Sequence, residues 1–179
     1  PIKSLICQIN FMRAHNKAYK AIKSVDNYVV GLVKNIVWYE TYEKKPFFMD
    51  TLIAKFLFYL NTDFFLNPIR KNLDILGFNY YFTNQIRHLT AMHPAGVVSN
   101  LNWWINPDGL RNVLLYLRKY KIPVYITENG LADSEDRLRK VFIKSMLIAC
   151  LSAMDQGTQL EGYFHWSLID NFEWHEGYW

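Results

Sequence analysis

Two carboxylates stand where chemistry could use them. Glu128 follows the apolar run Val124-Tyr125-Ile126 directly, and an ionised group at the end of a buried strand needs a partner or a task. Spacing alone leaves both open: Glu128 acts in chemistry or pairs with a base. Glu173 lies between Trp166 and Trp174. Indole faces pack on the apolar side of a pyranose while carboxylates accept from its hydroxyls, so this grouping suits sugar recognition. The competing reading is an aromatic core cluster with Glu173 on its surface. Two carboxylates at one rim are also the minimal machinery of glycoside hydrolysis, where their separation selects retention or inversion. His15, His88, His93, His165 and His175 lack ligand spacing, so no metal site is expected, and no cofactor is implied.

The elements that must position these residues alternate. Strand-like apolar and β-branched runs cover Val29 to Trp38, Ile75 to Tyr81, Val124 to Thr127 and Gly162 to Trp166, with helix-like runs at Phe11 to Lys23, Met49 to Leu60, Pro107 to Tyr120 and Leu138 to Met154. Asn106, Pro107 and Asp108 mark the third helix start as cap, first-turn proline and dipole-compensating acid. Such alternation predicts parallel βαβ units. The last three strands each end in polar and aromatic residues: Asn79-Tyr80-Tyr81, Thr127-Glu128-Asn129-Gly130, and Trp166-Ser167 running into Asp170-Asn171-Phe172-Glu173-Trp174. In a parallel sheet all three bursts share one rim. Part of a (β/α)8 barrel and an open four-strand α/β sheet both fit four such strands. In either, Asn129-Gly130 reads as a βα loop rather than a hairpin turn.

Composition narrows the partners. The 179 residues are 51% hydrophobic and 17% aromatic, which excludes a disordered tail. The net charge is +4, but the basic residues are scattered, so no nucleic-acid partner is expected. Phe47 to Leu60 is broken by Asp50 and Lys55 and is too short for a membrane span, so it reads as a buried helix. Cys7 and Cys150 read as buried free thiols, which fits a reducing, cytoplasmic location. The chain opens on Pro1 without a signal segment.

Four segments carry a family resemblance. Pro123-Val124-Tyr125-Ile126-Thr127-Glu128-Asn129-Gly130 resembles the nucleophile signature of family 1 glycoside hydrolases, the retaining β-glucosidases and their relatives. Gly162 to Trp174 is similar to that family's eighth-strand segment, Leu73 to Tyr81 to its sixth, and Trp103 to Leu110 to the stretch before the nucleophile strand. The resemblance implies the C-terminal part of a (β/α)8 barrel, about strands 5 to 8 with helices 4 to 7, as one domain over residues 1–179. It implies Glu128 as nucleophile, Tyr81 as the donor that orients it, and Asn79 near the same subsite. Glu173 and Trp174 would bind sugar hydroxyls, Trp166 would floor the sugar, and Trp103 would carry the leaving group. The substrate would be a small β-glycoside. Glu173 would repel a phosphorylated sugar, which favours a neutral one such as glucose, galactose or fucose.

Two departures bear on mechanism. The family's general acid/base sits in an Asn-Glu-Pro motif, and none occurs here. Phe11 to Tyr19 resembles the helix after the fourth strand, so the chain is expected to begin beyond that acid and to lack the first half of the barrel and the last helix. Alone it should be inactive on ordinary glycosides and prone to associate through open strand edges, with the N-terminal half or a second copy as partner. A carbohydrate-binding module without turnover is the alternative.

Overall fold

The computed structural model describes residues 2–42, 46–92, 96–174 and 177; His93, His175, Tyr178 and Trp179 lie outside them. Helix α1 (Ile2–Val25) leads to β1 (Gly31–Asn35) and β2 (Trp38–Thr41), then α2 (Phe48–Asn61) and the short α3 (Asp63–Leu66). Next come β3 (Ile75–Asn79), β4 (Thr83–Arg87), β5 (Thr90–Met92), α4 (Pro107–Leu117), β6 (Val124–Gly130), α5 (Arg139–Asp155) and β7 (Leu160–Trp166).

Strands β1, β3, β6 and β7 form one parallel sheet in that order. One face is covered by helices. Leu76, Phe78, Val124 and Ile126 point into that layer and pack in one core with Leu110, Val113, Leu114 and Leu117 of α4 and Phe142, Met146 and Cys150 of α5. Each large apolar side chain buried there contributes about 1.5–3 kcal/mol. Burial also pushes the Cys150 thiol up to about 12. Helix α4 begins where Asn106 Oδ1 accepts from the Gly109 N–H at 3.1 Å. Residue 109 must be glycine, because a Cβ there would collide with Thr83 Oγ1 and Tyr80 Oη. Helix α5 is started by Asp133, whose Oδ2 accepts from the Leu138 and Arg139 N–H groups at 2.7 and 3.2 Å.

The second sheet has the order β2-β4-β5, with β2 and β4 parallel and β4 and β5 antiparallel. Its hairpin turn places His88 and Leu89 at φ 47° and 65°. The buried Asp50 carboxylate of α2 accepts from both of their N–H groups, at 3.2 and 2.8 Å, and holds a turn that non-glycine residues enter reluctantly.

Four expectations change. The run from Val29 to Trp38 is two strands in two sheets: the Ile36 N–H donates to the Asn79 carbonyl at 2.9 Å and the Val37 N–H to Asn61 Oδ1 at 3.0 Å, which carries the chain off the first sheet. The four-strand count holds for the barrel sheet only, since β2, β4 and β5 add a second. Helix α2 is not buried all round: Ala54 and Phe58 face inward, while Phe48, Leu52 and Phe56 are exposed. Of the two free cysteines Cys150 is buried, but Cys7 is exposed on α1. Among the described residues no helix is long and apolar enough to cross a membrane.

Candidate active site

The parallel sheet brings the C-terminal ends of β3, β6 and β7 to one rim. Asn79 pairs with Glu128 across β3 and β6, and Gly130 pairs with Trp166 across β6 and β7. A Cβ at Gly130 would collide with the Trp166 carbonyl oxygen, so glycine alone permits the two strands this approach.

At the rim Tyr81 Oη donates to Glu128 Oε2 at 2.6 Å. Both residues are half-buried. Burial, the bond to Glu128, and the charges of Glu128 and Glu173 hold the Tyr81 phenol far above its ordinary value, so it stays a donor across the physiological range. Glu173 is half-buried, and its backbone exchanges hydrogen bonds with that of Gly177 at 3.0 and 3.2 Å. Thr127 Oγ1 donates to Asn79 Oδ1 at 2.6 Å. That bond commits the amide oxygen and presents Nδ2 as the remaining donor. The Trp103 ring is tilted over Tyr81 at 5.4 Å between centroids and over Phe82 at 5.1 Å.

The rim therefore gathers Glu128, Tyr81, Asn79 and Trp103 in direct contact or pairing. Trp166 ends β7, 42% exposed. Trp174 is 81% exposed. Sequence reasoning gave no role to Thr127, Phe82 or Asn129. Thr127 and Asn129 flank Glu128 in the chain, but their partners are 48 and 49 residues away in sequence, and nothing local signals them. Chemically, the rim offers a carboxylate held by a phenol, an amide donor beside it, and indole surface.

The profile of Glycosyl hydrolase family 1 matches residues 62–179. The chain belongs to this family. A relative named β-galactosidase, from Sulfolobus acidocaldarius, is 31% identical over 98% of the chain and 42% of its own length. A solved β-glycosidase from Pyrococcus horikoshii is similar with a TM-score of 0.89 and 29% identity, covering 99% of the chain and 47% of that structure. The family 1 β-glucosidase from Thermotoga maritima gives a TM-score of 0.85 at 27% identity, over 94% of the chain and 48% of that structure. The chain thus spans less than half of each of these relatives. Its fold is part of the family's (β/α)8 barrel, and the family's members are glycoside hydrolases.

Proposed function

We propose that this chain carries the nucleophile side of a retaining β-glycosidase, residues 1–179 forming the C-terminal part of one barrel domain. The supporting observation is the 2.6 Å hydrogen bond from Tyr81 Oη to Glu128 Oε2 at the end of a parallel strand, where barrel enzymes place their reactive groups. Glu128 attacks the anomeric carbon with its other oxygen, forming a glycosyl-enzyme ester as the glycosidic C–O bond breaks and the leaving group takes the electron pair. Tyr81 fixes the carboxylate's orientation. The Asn79 amide, Glu173 and Trp174 bind sugar hydroxyls, Trp166 floors the ring, and Trp103 carries the aglycone. A neutral sugar suits this rim, since Glu173 opposes a phosphate.

An ordinary alkoxide leaving group needs a positioned acid, worth ~10²–10⁴-fold in rate, and these residues hold no Asn-Glu-Pro segment to supply it. The chain alone therefore acts only on substrates whose leaving group departs unprotonated. An N-terminal half-barrel bearing the acid, or a second copy covering the open edges, is the partner this reading calls for.

The test is a 2-deoxy-2-fluoro β-glycoside with a dinitrophenolate leaving group, incubated with the chain and followed by intact mass and peptide mapping. A single glycosyl adduct on Glu128, absent from Glu128→Gln, is the expected result. An adduct on another residue, or none at saturating reagent, would overturn the assignment and leave a sugar-binding module as the better description.

A further inference from the structure

The regular ladder fails where the site sits. Strands β3 and β6 shift register between Phe78 and Asn79, and β6 and β7 shift between Ile126 and Asn129. Toward β7 both Thr127 and Glu128 fall within the shift, and toward β3 Thr127 is the extra residue while Glu128 stays paired with Asn79, so the β6–β7 ladder holds this segment less than its neighbours. A side chain takes over. Asn129, fully buried between the strands, donates from Nδ2 to the Tyr80 carbonyl at 2.7 Å and accepts at Oδ1 from the Tyr163 phenol at 2.8 Å. The Tyr80 N–H in turn donates to the Glu128 carbonyl at 3.0 Å. Residues 80 and 128–129 are thus clasped from both sides, and the next residue along, Tyr81, meets Glu128 through its phenol.

Tyr80 is itself anchored. Its buried phenol donates to the Asn106 carbonyl at 2.9 Å and lies 2.8 Å from Thr83 Oγ1. The clasp therefore ties the rim to a fixed point at the start of α4 rather than to a free loop. It also demands asparagine at residue 129. That side chain donates and accepts at once, whereas aspartate would set a second acceptor against the Tyr80 carbonyl and leucine would leave both the carbonyl and the Tyr163 phenol unpaired.

We infer that Asn129 and Tyr163 are positioning residues: the buried chain from Tyr163 Oη through the Asn129 amide to the Tyr80 carbonyl sets the spacing of β3 and β6 at the bulge, and through it the Tyr81–Glu128 contact. The inference rests on the reading of Glu128 as nucleophile for its catalytic consequence, but not for its structural one. Tyr163 touches no reacting atom and works from the helix side of β7.

The experiment uses the full chain carrying ¹³Cζ-labelled tyrosine. Tyr81 is assigned through Tyr81→Phe, and Glu128→Gln supplies the resonance position with the carboxylate partner removed. In Tyr163→Phe the Tyr81 resonance is expected to move toward that reference. Trapping by the fluoroglycoside is expected to slow ~10-fold or more, with the concentration for half-maximal rate unchanged within about twofold, since the loss is in orientation rather than binding. If Tyr163→Phe does not fold, Asn129→Ser, too short to bridge Tyr163 and Tyr80, takes its place. A Tyr81 resonance that stays at the wild-type position in a folded variant overturns the inference whatever the trapping rate. A wild-type chain that forms no adduct sinks the nucleophile reading instead, and the resonance position alone then decides whether the clasp orients Tyr81.

Discussion

The two faces of the parallel sheet differ although the same four strands supply both. On the helix side Leu76, Phe78 and Ile126 have no exposed surface, whereas on the other side Val33 is 55% and Phe164 58% exposed. Alternation along a strand sends neighbours to opposite faces, so residues one position apart have different work. Phe78 holds the fold, and Asn79 belongs to the rim. Ile126 is core, while Thr127 and Glu128 carry polar contacts. The helix face makes this part of a barrel stable, and the open face carries the polar contacts of the rim, where the proposed chemistry would take place.

The sharpest way to break that contrast is to remove a helix-side ring. Phe78→Ala deletes a fully buried side chain beneath α4 and α5, and should cost about 3–5 kcal/mol. For a domain of marginal stability that is a large share of the total. Urea unfolding followed by circular dichroism measures it. A loss below about 1 kcal/mol would mean that the helix face is not where the stability lies.

The open face should behave the other way. Phe164→Lys places a charge on a side chain that is more than half exposed in the monomer, so the urea midpoint should move by no more than ~0.5 kcal/mol in stability. Self-association through the open face should fall, because a charge facing a would-be partner strand opposes pairing. Sedimentation velocity across a concentration series reads this directly. Unchanged association would place the sticky surface elsewhere, with the exposed Phe48, Leu52 and Phe56 of α2 the next surface to alter.

This division also governs what the sequence made legible. Parallel strands covered by helices read as apolar runs, which is why β3, β6 and β7 were visible from their residues, along with the carboxylate that breaks the pattern at Glu128. The second sheet was not. Strand β4 reads Thr-Asn-Gln-Ile-Arg, with no apolar run. It is held by distant partners such as Glu40, which accepts from Gln85 Nε2 at 2.7 Å, and by Asp50 under its turn. The apolar content of α2 suggested full burial, because composition does not say which of two stripes a neighbour will cover. The Tyr81 role came from resemblance alone, since a tyrosine after a strand carries no local mark of the carboxylate 47 residues on.

The smallest effect concerns a strongly polar cluster within the helix layer. Asp63, at the start of α3, is engaged by Lys119 Nζ at 2.5 Å, by Tyr120 Oη at 2.8 Å and by the Tyr116 phenol. Burial raises its carboxyl, but hydrogen bonds from Lys119, Tyr116 and Tyr120 outweigh that and hold it below its ordinary value of 3.8. A carboxyl depressed by folding stabilises the native state above the unfolded value, and that contribution is lost as pH falls through the lower folded one. Asp74, held down chiefly by the hydrogen bond from Lys23, has the same sign, and its ion pair with Lys23 is partly open to solvent, so screening weakens its share. Urea midpoints taken from about pH 6 down to about pH 2.5 should therefore fall for the wild type and fall less steeply for Asp63→Asn. Midpoints that decline in parallel would show that the Asp63 cluster adds nothing to the helix layer, whose stability would then be apolar throughout.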